Sequence, residues 1–383
     1  MRGELVGTQP ELTLLDRIWH LNWVLVLMLA GIAGIGFAML YSAANGSLDP
    51  WASRQMVRFG FGIGVLLVVG LIDIRIWMKL AYPIYGVGFA LLVAVELVGE
   101  IGMGAQRWID LGVIQLQPSE VMKIAIVLVL ARYFHGASLE QIARPVYLVP
   151  PILMVLAPVA LVLKQPDLGT AMMLLMVGGA LFFLAGVRLW KFAVVLAAGA
   201  GSVPVAWQFL HDYQKNRVLT FLDPENDPLG TGYHIMQSKI ALGSGGLTGR
   251  GYLMGSQSHL NFLPEKQTDF IFTMLAEEFG LVGGVGLLGM YLLLLAYGTA
   301  LALRCRNQFG RLVGLGVVTN LFLYVFINMA MVMGLIPVVG VPLPLISYGG
   351  TAMLTVLFGF GLLMSAHVHR DMRISRRGIS LDD

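Results

Sequence analysis

Asp269 closes the run Leu263-Pro264-Glu265-Lys266-Gln267-Thr268-Asp269-Phe270-Ile271-Phe272, where the long hydrophilic stretch of the chain gives way to an apolar segment able to cross a bilayer. A carboxylate at such a boundary can take a proton from a polar group whose hydrophobic anchor stays in the membrane. The same residue type is also favoured at a helix start, where it complements the macrodipole and caps free N–H groups. A helix start lowers a carboxylate pKa, which keeps Asp269 ionised at neutral pH and weakens it as a base.

Further charges stand at or inside apolar segments. Glu120 and Lys123 are three residues apart at the start of one of them, hence on one helix face, where an ion pair offsets part of the cost of burial. Intramembrane ionisable residues usually line a cavity or a substrate path. Asp167, in Lys164-Gln165-Pro166-Asp167-Leu168-Gly169-Thr170, opens another segment, with capping as the alternative to chemistry. Glu277 and Glu278 lie about 12 Å along the helix from Asp269 and diverge around it. Each is either the partner of a buried cation or part of a cavity wall.

Other chemistries lack their patterns. The glycine-rich run Gly243-Ser244-Gly245-Gly246-Leu247-Thr248-Gly249-Arg250-Gly251 has no Gly-Lys-Ser/Thr ending and no preceding strand, so it is no phosphate loop. The seven histidines are scattered without metal-ligand spacing. No nucleophile elbow for Ser-His-Asp catalysis is present.

These groups must be positioned by membrane helices. Hydrophobic residues make up 57% of the 383 and charged residues 12%, about half the charged share of a soluble domain. Apolar runs near 18–41, 57–73, 80–98, 121–135, 146–163, 170–187, 190–210, 270–301, 312–333 and 350–368 approach or exceed the roughly 20 residues that span hydrocarbon. They lack barrel alternation. The expectation is an all-α polytopic membrane protein of about ten transmembrane helices, a single domain over 1–383. The first helix is read as a retained span, since a polar stretch with Arg2, Asp16 and Arg17 precedes it and no cleavage pattern follows.

Lys and Arg gather on one set of connections, so both termini are expected in the cytoplasm. Among them are Arg17, Arg75, Lys79, Arg132, Arg144, Arg188, Lys191, Arg304, Arg306, Arg311 and the basic tail 369–383. The net charge of +3 reflects this bias and calls for no nucleic-acid partner. Cys305 is alone and on the reducing side, so no disulfide forms within the chain. Three regions face outward: Gly99–Glu120, the long loop 211–267 between helices 7 and 8, and the uncharged, proline-bearing Gly334–Gly350, read as re-entrant.

Taken together, Gln106-Arg107-Trp108-Ile109-Asp110-Leu111-Gly112, Gln117-Pro118-Ser119-Glu120 with Lys123, Gln165-Pro166-Asp167-Leu168-Gly169-Thr170, the glycine-rich run, Pro264 to Phe272 and Leu345-Ile346-Ser347-Tyr348-Gly349-Gly350 resemble the SEDS family, whose members shape, elongate and divide bacterial cells. The match runs in order over nearly the whole chain. The short tails, Gly46-Ser47-Leu48-Asp49-Pro50-Trp51 and Asp73-Ile74-Arg75 are most similar to the elongation branch, with the division branch as the alternative. Gln267 stands where many relatives would carry His, which implies that this position has no essential acid–base task.

The resemblance implies peptidoglycan polymerisation from lipid II on the outer face of the cytoplasmic (inner) membrane. Asp269 would act as catalytic base on the GlcNAc 4-hydroxyl, which attacks the anomeric carbon of a glycan carried on undecaprenyl pyrophosphate and forms a β-1,4 bond. Arg107, Lys123, Arg250 and Lys266 are the candidates for stabilising the leaving pyrophosphate, with Glu120 and Asp167 as further substrate-site residues. No cofactor is fixed by the resemblance; a divalent cation such as Mg2+, held against the phosphates by a carboxylate, is the one candidate. Implied partners are the nascent glycan strand, membrane lipids, the elongation machinery and a class B penicillin-binding protein transpeptidase. The rivals are a lipid II flippase or transporter, which interrupted helices and interior charges also suit, and an inert scaffold.

Overall fold

The computed structural model describes residues 18–102, 105–110, 115–165, 167–209, 212–223, 231–259, 265–372 and 374–375. Pro264, the turn-rich front of the long loop at 224–230, and residues 1–17 and 376–383 of the termini lie outside them.

Among the described residues, each apolar run identified above contains a helix. In chain order the elements are α1 (Trp23–Ala43), α2 (Ala52–Leu71), α3 (Ile74–Val98), a small sheet, α4 (Pro118–Phe134), the short α5 (Leu139–Ala143), α6 (Pro145–Lys164), α7 (Leu168–Leu184) and α8 (Leu189–Phe209). There follow α9 (Asp212–Leu222), α10 (Thr231–Ser244), α11 (Ser256–His259), α12 (Ile271–Leu303), α13 (Gln308–Val332) and α14 (Gly350–Val368). Among the described residues, α1, α2, α3, α6, α12, α13 and α14 are long and apolar enough to cross a membrane. The apolar helices 168–184 and 189–205 are shorter. α4 has 17 residues and carries Glu120, Lys123 and Arg132. The seven unambiguous spans are thus fewer than the ten expected, because charge or brevity marks the other three.

Connections sort into two groups by contact, and consecutive ones alternate. At one end Gln55, in the first turn of α2, donates to the Ser347 carbonyl at 2.8 Å, the Arg58 guanidinium lies 4.8 Å from the Tyr348 ring centre, and Lys164 pairs with Glu96. At the other, Gly136 N–H donates to Gln308 Oε1 at 3.0 Å, Ser365 Oγ to the Ile72 carbonyl at 2.6 Å, Lys191 Nζ to the Ala143 carbonyl at 2.8 Å, and Arg306 N–H to the Arg370 carbonyl at 2.9 Å. α4, α13 and α14 form the centre, buried on nearly every side. Pro118 at the first position of α4, Glu120 in its first turn and Arg132 in its last suit the helix macrodipole.

Two features depart from an all-helical reading. Residues 100–116 contain a small antiparallel sheet, β1 (Glu100–Gly102), β2 (Ala105–Asp110) and β3 (Gln115–Leu116), with Glu100 opposite Trp108 and Ile109 opposite Leu116. Between two spans the backbone must still pair its polar groups, and a hairpin does so within a few residues. The back of the long loop, expected to stand outward, runs along α12. Ser238 Oγ lies 2.9 Å from Thr273 Oγ1 and donates to the Val332 carbonyl at 2.8 Å. Further on, the N–H groups of Leu281 and Val282 donate to the carbonyls of Gly246 and Leu247 at 2.9 and 3.1 Å. Those N–H groups are available because α12 breaks at Gly280, whose φ of 65° and ψ of −161° interrupt the helical ladder.

Candidate active site

Asp269 lies in the turn 265–270 immediately before α12 and is partly exposed. The cap position of that helix falls on Phe270, whose side chain caps nothing, and the first-turn N–H of Thr273 bonds the Phe270 carbonyl at 3.0 Å. The Asp269 carbonyl therefore stays outside the helical ladder. Asn328 of α13 collects it, donating from Nδ2 at 2.9 Å and at the same time to the Val341 carbonyl at 2.7 Å. The turn is pinned from the proline-bearing segment 334–349 as well. Ser347 Oγ donates to the Thr268 carbonyl at 2.6 Å and Tyr348 N–H to the Gln267 carbonyl at 2.8 Å. Gln267 enters this contact through its backbone carbonyl.

The same segment reaches the Asp167 motif. A methyl built on Gly169 would come within 2.5 Å of the Val339 carbonyl, and one on Gly340 would touch Asp269 Oδ2 at 3.4 Å. Adjacent residues of one loop thus abut the start of α7 and the Asp269 carboxylate. Asp167 caps α7, accepting from Thr170 N–H at 3.1 Å on Oδ1 and from Thr170 Oγ1 at 2.9 Å on Oδ2. It also faces Arg107, whose Nε is 3.6 Å from Oδ2. Capping and site chemistry are not exclusive here: the cap orients the carboxylate toward the guanidinium of β2.

Beside this pair, Glu120 and Lys123 meet on one face of α4, as their spacing predicts, with Lys123 Nζ 2.7 Å from Glu120 Oε1 and both side chains almost wholly buried. Tyr324 of α13 closes a ring. Lys123 donates to its hydroxyl, which donates in turn to Glu120 Oε2, and the ammonium lies 4.2 Å from the ring centre. Burying two charges is expensive, and the ring of hydrogen bonds is what makes it tolerable. In this arrangement Lys123 is engaged with its neighbours rather than presented to a ligand.

Lys266 is buried in the turn of Asp269, and that burial holds its ammonium pKa below the ordinary lysine value. Arg250 belongs to a different cluster. Its Nη1 donates to Ser256 Oγ at 2.6 Å and its backbone N–H to the Glu277 carbonyl at 3.0 Å, about two helical turns along α12 from Asp269. Glu277 Oε1 accepts from Gln257 N–H at 2.8 Å and Glu278 from Ser42 Oγ, so these two acids tie the returning loop and α1 to α12. Among the described residues no three His, Cys, Asp or Glu side chains gather as a metal cage. The Asp167 and Glu120 carboxylates are engaged by Thr170 and Arg107 and by Lys123 and Tyr324, respectively.

Tyr324 and Asn328 escape a reading of charge and motif. Their signal is spacing: Asn320, Tyr324 and Asn328 recur every four residues through an apolar span, one polar stripe on a helix buried on all sides.

The chain is similar to known proteins over nearly its whole length. The FtsW, RodA and SpoVE family profile, described as cell cycle protein, matches residues 21–372. The peptidoglycan glycosyltransferase MrdB of Escherichia coli K12 is 45% identical over 363 residues, covering 94% of this chain and 96% of that one. The probable peptidoglycan glycosyltransferase FtsW of Trichlorobacter lovleyi is 35% identical, covering 91% and 93%. Among solved structures, a chain from a peptidoglycan synthase complex that coordinates polymerization and crosslinking superposes with a TM-score of 0.80 at 37% identity, over 92% of this chain and 98% of that one. The rod shape determining protein RodA of Thermus thermophilus does so at 0.70 and 33% identity, over 92% and 98%.

Proposed function

The chain belongs to the FtsW, RodA and SpoVE family of cell cycle proteins, and from that membership we propose how its geometry polymerises a lipid-linked glycan. It is a peptidoglycan glycosyltransferase of the elongation type, built as a multi-pass protein of the inner membrane. The acceptor is the GlcNAc 4-hydroxyl of lipid II and the donor the growing strand on undecaprenyl pyrophosphate. Both lipid tails remain in the bilayer while the sugars meet at its outer face, where the positive-inside rule puts the end that carries Asp269.

Asp269 takes the hydroxyl proton as the oxygen attacks the anomeric carbon of MurNAc. The bond from that carbon to the pyrophosphate oxygen breaks, its electron pair leaves with the phosphate, and the centre inverts to β. A placed carboxylate contributes about 10² to 10⁴ in rate. Pyrophosphate leaves without an acid, so a second catalytic carboxylate is unnecessary. Arg107 and Lys266 supply the cationic charge for the leaving group, Asp167 orients Arg107, and the Glu120–Lys123–Tyr324 ring forms the floor beside them. Arg250 braces the loop that returns the chain to the Asp269 turn. The complex named for polymerization and crosslinking supports a transpeptidase partner of the class B penicillin-binding type, which would crosslink the strands made here.

The observation that carries this reading is a partly exposed carboxylate held rigidly through its backbone at the boundary of an apolar bundle, with the Arg107–Asp167 pair across one loop. The test is strand synthesis from lipid II by the purified protein. Asp269→Asn keeps the shape and removes the proton acceptor, so synthesis is expected to vanish with an unchanged melting profile; a variant that polymerises normally would falsify the assignment. Transport of lipid II without polymer formation by the unmodified protein would establish the flippase instead.

A further inference from the structure

We infer that Asn328 is the positioning residue for Asp269, holding the catalytic turn and the segment 334–349 at a fixed separation through one side-chain amide. The inference rests on Asp269 being the proton acceptor. Asn328 is fully buried on α13. Its Nδ2 lies 2.9 Å from the Asp269 carbonyl and 2.7 Å from the Val341 carbonyl, two acceptors, so the amino end of the amide must face both. Both N–H donors are spent on segments remote from each other in sequence. The carbonyl end, Oδ1, is buried with no hydrogen-bond partner among the described residues. Buried acceptors are rarely left so, and the amide orientation seen here is the one that serves both donors.

The geometry explains why the contact matters. Phe270 rather than Asp269 begins the helical ladder, and by donating to the Asp269 carbonyl Asn328 fixes the peptide from which the carboxylate projects. The second bond fixes Val341, next to Gly340, where a methyl in place of the glycine hydrogen would touch Asp269 Oδ2 at 3.4 Å. One residue therefore sets the carboxylate and the wall beside it. Tyr324, one turn earlier, makes the Glu120–Lys123 ring, so α13 registers both halves of the site.

The experiment compares full-length Asn328→Ala with Asn320→Ala, a control two turns away on the same stripe, in strand synthesis from purified lipid II. Asn328→Ala is expected to lower kcat by roughly 10- to 100-fold, the scale of a misplacement near 1 Å. KM for lipid II should stay within about threefold, and the acid limb of the pH–rate profile should shift, because the environment of the Asp269 carboxyl changes. Asn320→Ala, at a comparable Tm, should leave the profile in place. Asn328→Ser, which retains a donor for one carbonyl, should fall between and serves if the alanine variant does not fold. An unshifted pH profile with unchanged kcat, or a loss that Asn320→Ala reproduces at equal Tm, overturns the inference. An Asp269→Asn protein that is itself active would instead remove the general-base reading.

Discussion

At the scale of residues, Lys123 poses the sharpest question, because its ammonium is a cation beside the site that is already bound in a buried ring. Removing one member of a buried pair costs about 3–5 kcal/mol, so Lys123→Met alone should lower Tm strongly. Lys123→Met with Glu120→Gln removes both charges and should recover most of that stability. If the ring only supports the site, strand synthesis recovers with it; stability regained without synthesis would show that Lys123 itself contacts the pyrophosphate. Lys266 gives a pH test. Burial lowers its pKa below the ordinary 10.5, so the folded state bears the cost of a buried charge at lower pH. That cost is relieved as pH rises through the lowered value toward 10.5. Activity should move oppositely if the charge serves the leaving group, falling over the window in which stability rises. Lys266→Arg keeps its charge throughout, and its pH–rate profile should lack that alkaline decline.

At the scale of elements, the glycine-rich run is pressed against α12. Gly249 has a φ of +80°, and a methyl there would come within 2.1 Å of the Glu278 carbonyl. Gly246, at a φ of +55°, has nothing within 4 Å of that position. Gly246→Ala should therefore lose only the roughly 1–2 kcal/mol of a left-handed alanine, while Gly249→Ala must also push the loop backbone away from that of α12. Thermal unfolding in detergent checks the order; equal losses would mean that the loop does not pack along α12. Gly169 makes the corresponding contact at α7. Gly169→Ala should push Val339 away from the start of α7 and reduce synthesis by more than its loss of Tm accounts for.

At the scale of the whole molecule, the alternation of connections between two ends makes orientation a single unknown. Cys305 is a poor reporter of it. The thiol is 3% exposed, donates to the Ala366 carbonyl at 3.3 Å, and has its pKa pushed by burial up to about 11, so it should resist maleimide from either side. In a Cys305→Ser background, a cysteine at exposed Ser47 should react with an impermeant maleimide added to intact cells, and one at exposed Arg306 only after permeabilisation. The reverse pattern would move the site to the cytoplasm.

What the sequence determined by itself is what short-range physics dictates. Apolar runs too long and too uniform for anything but membrane helices, the charge bias of their connections, the pairing of Glu120 with Lys123 three residues on, and the ordered motifs from Gln106 to Gly350 are all read along the chain. Only the tertiary structure decided which groups share a site. Asp167 serves as cap and as partner of Arg107, Arg250 is drawn to Ser256 and Glu277, and Tyr324 and Asn328 supply the bonds that join α4, the Asp269 turn and segment 334–349. An uncharged side chain inside an apolar span reads as filler until the residues facing it are known. Here those residues lie 13 to 204 positions away, and only packing brings them within hydrogen-bond reach.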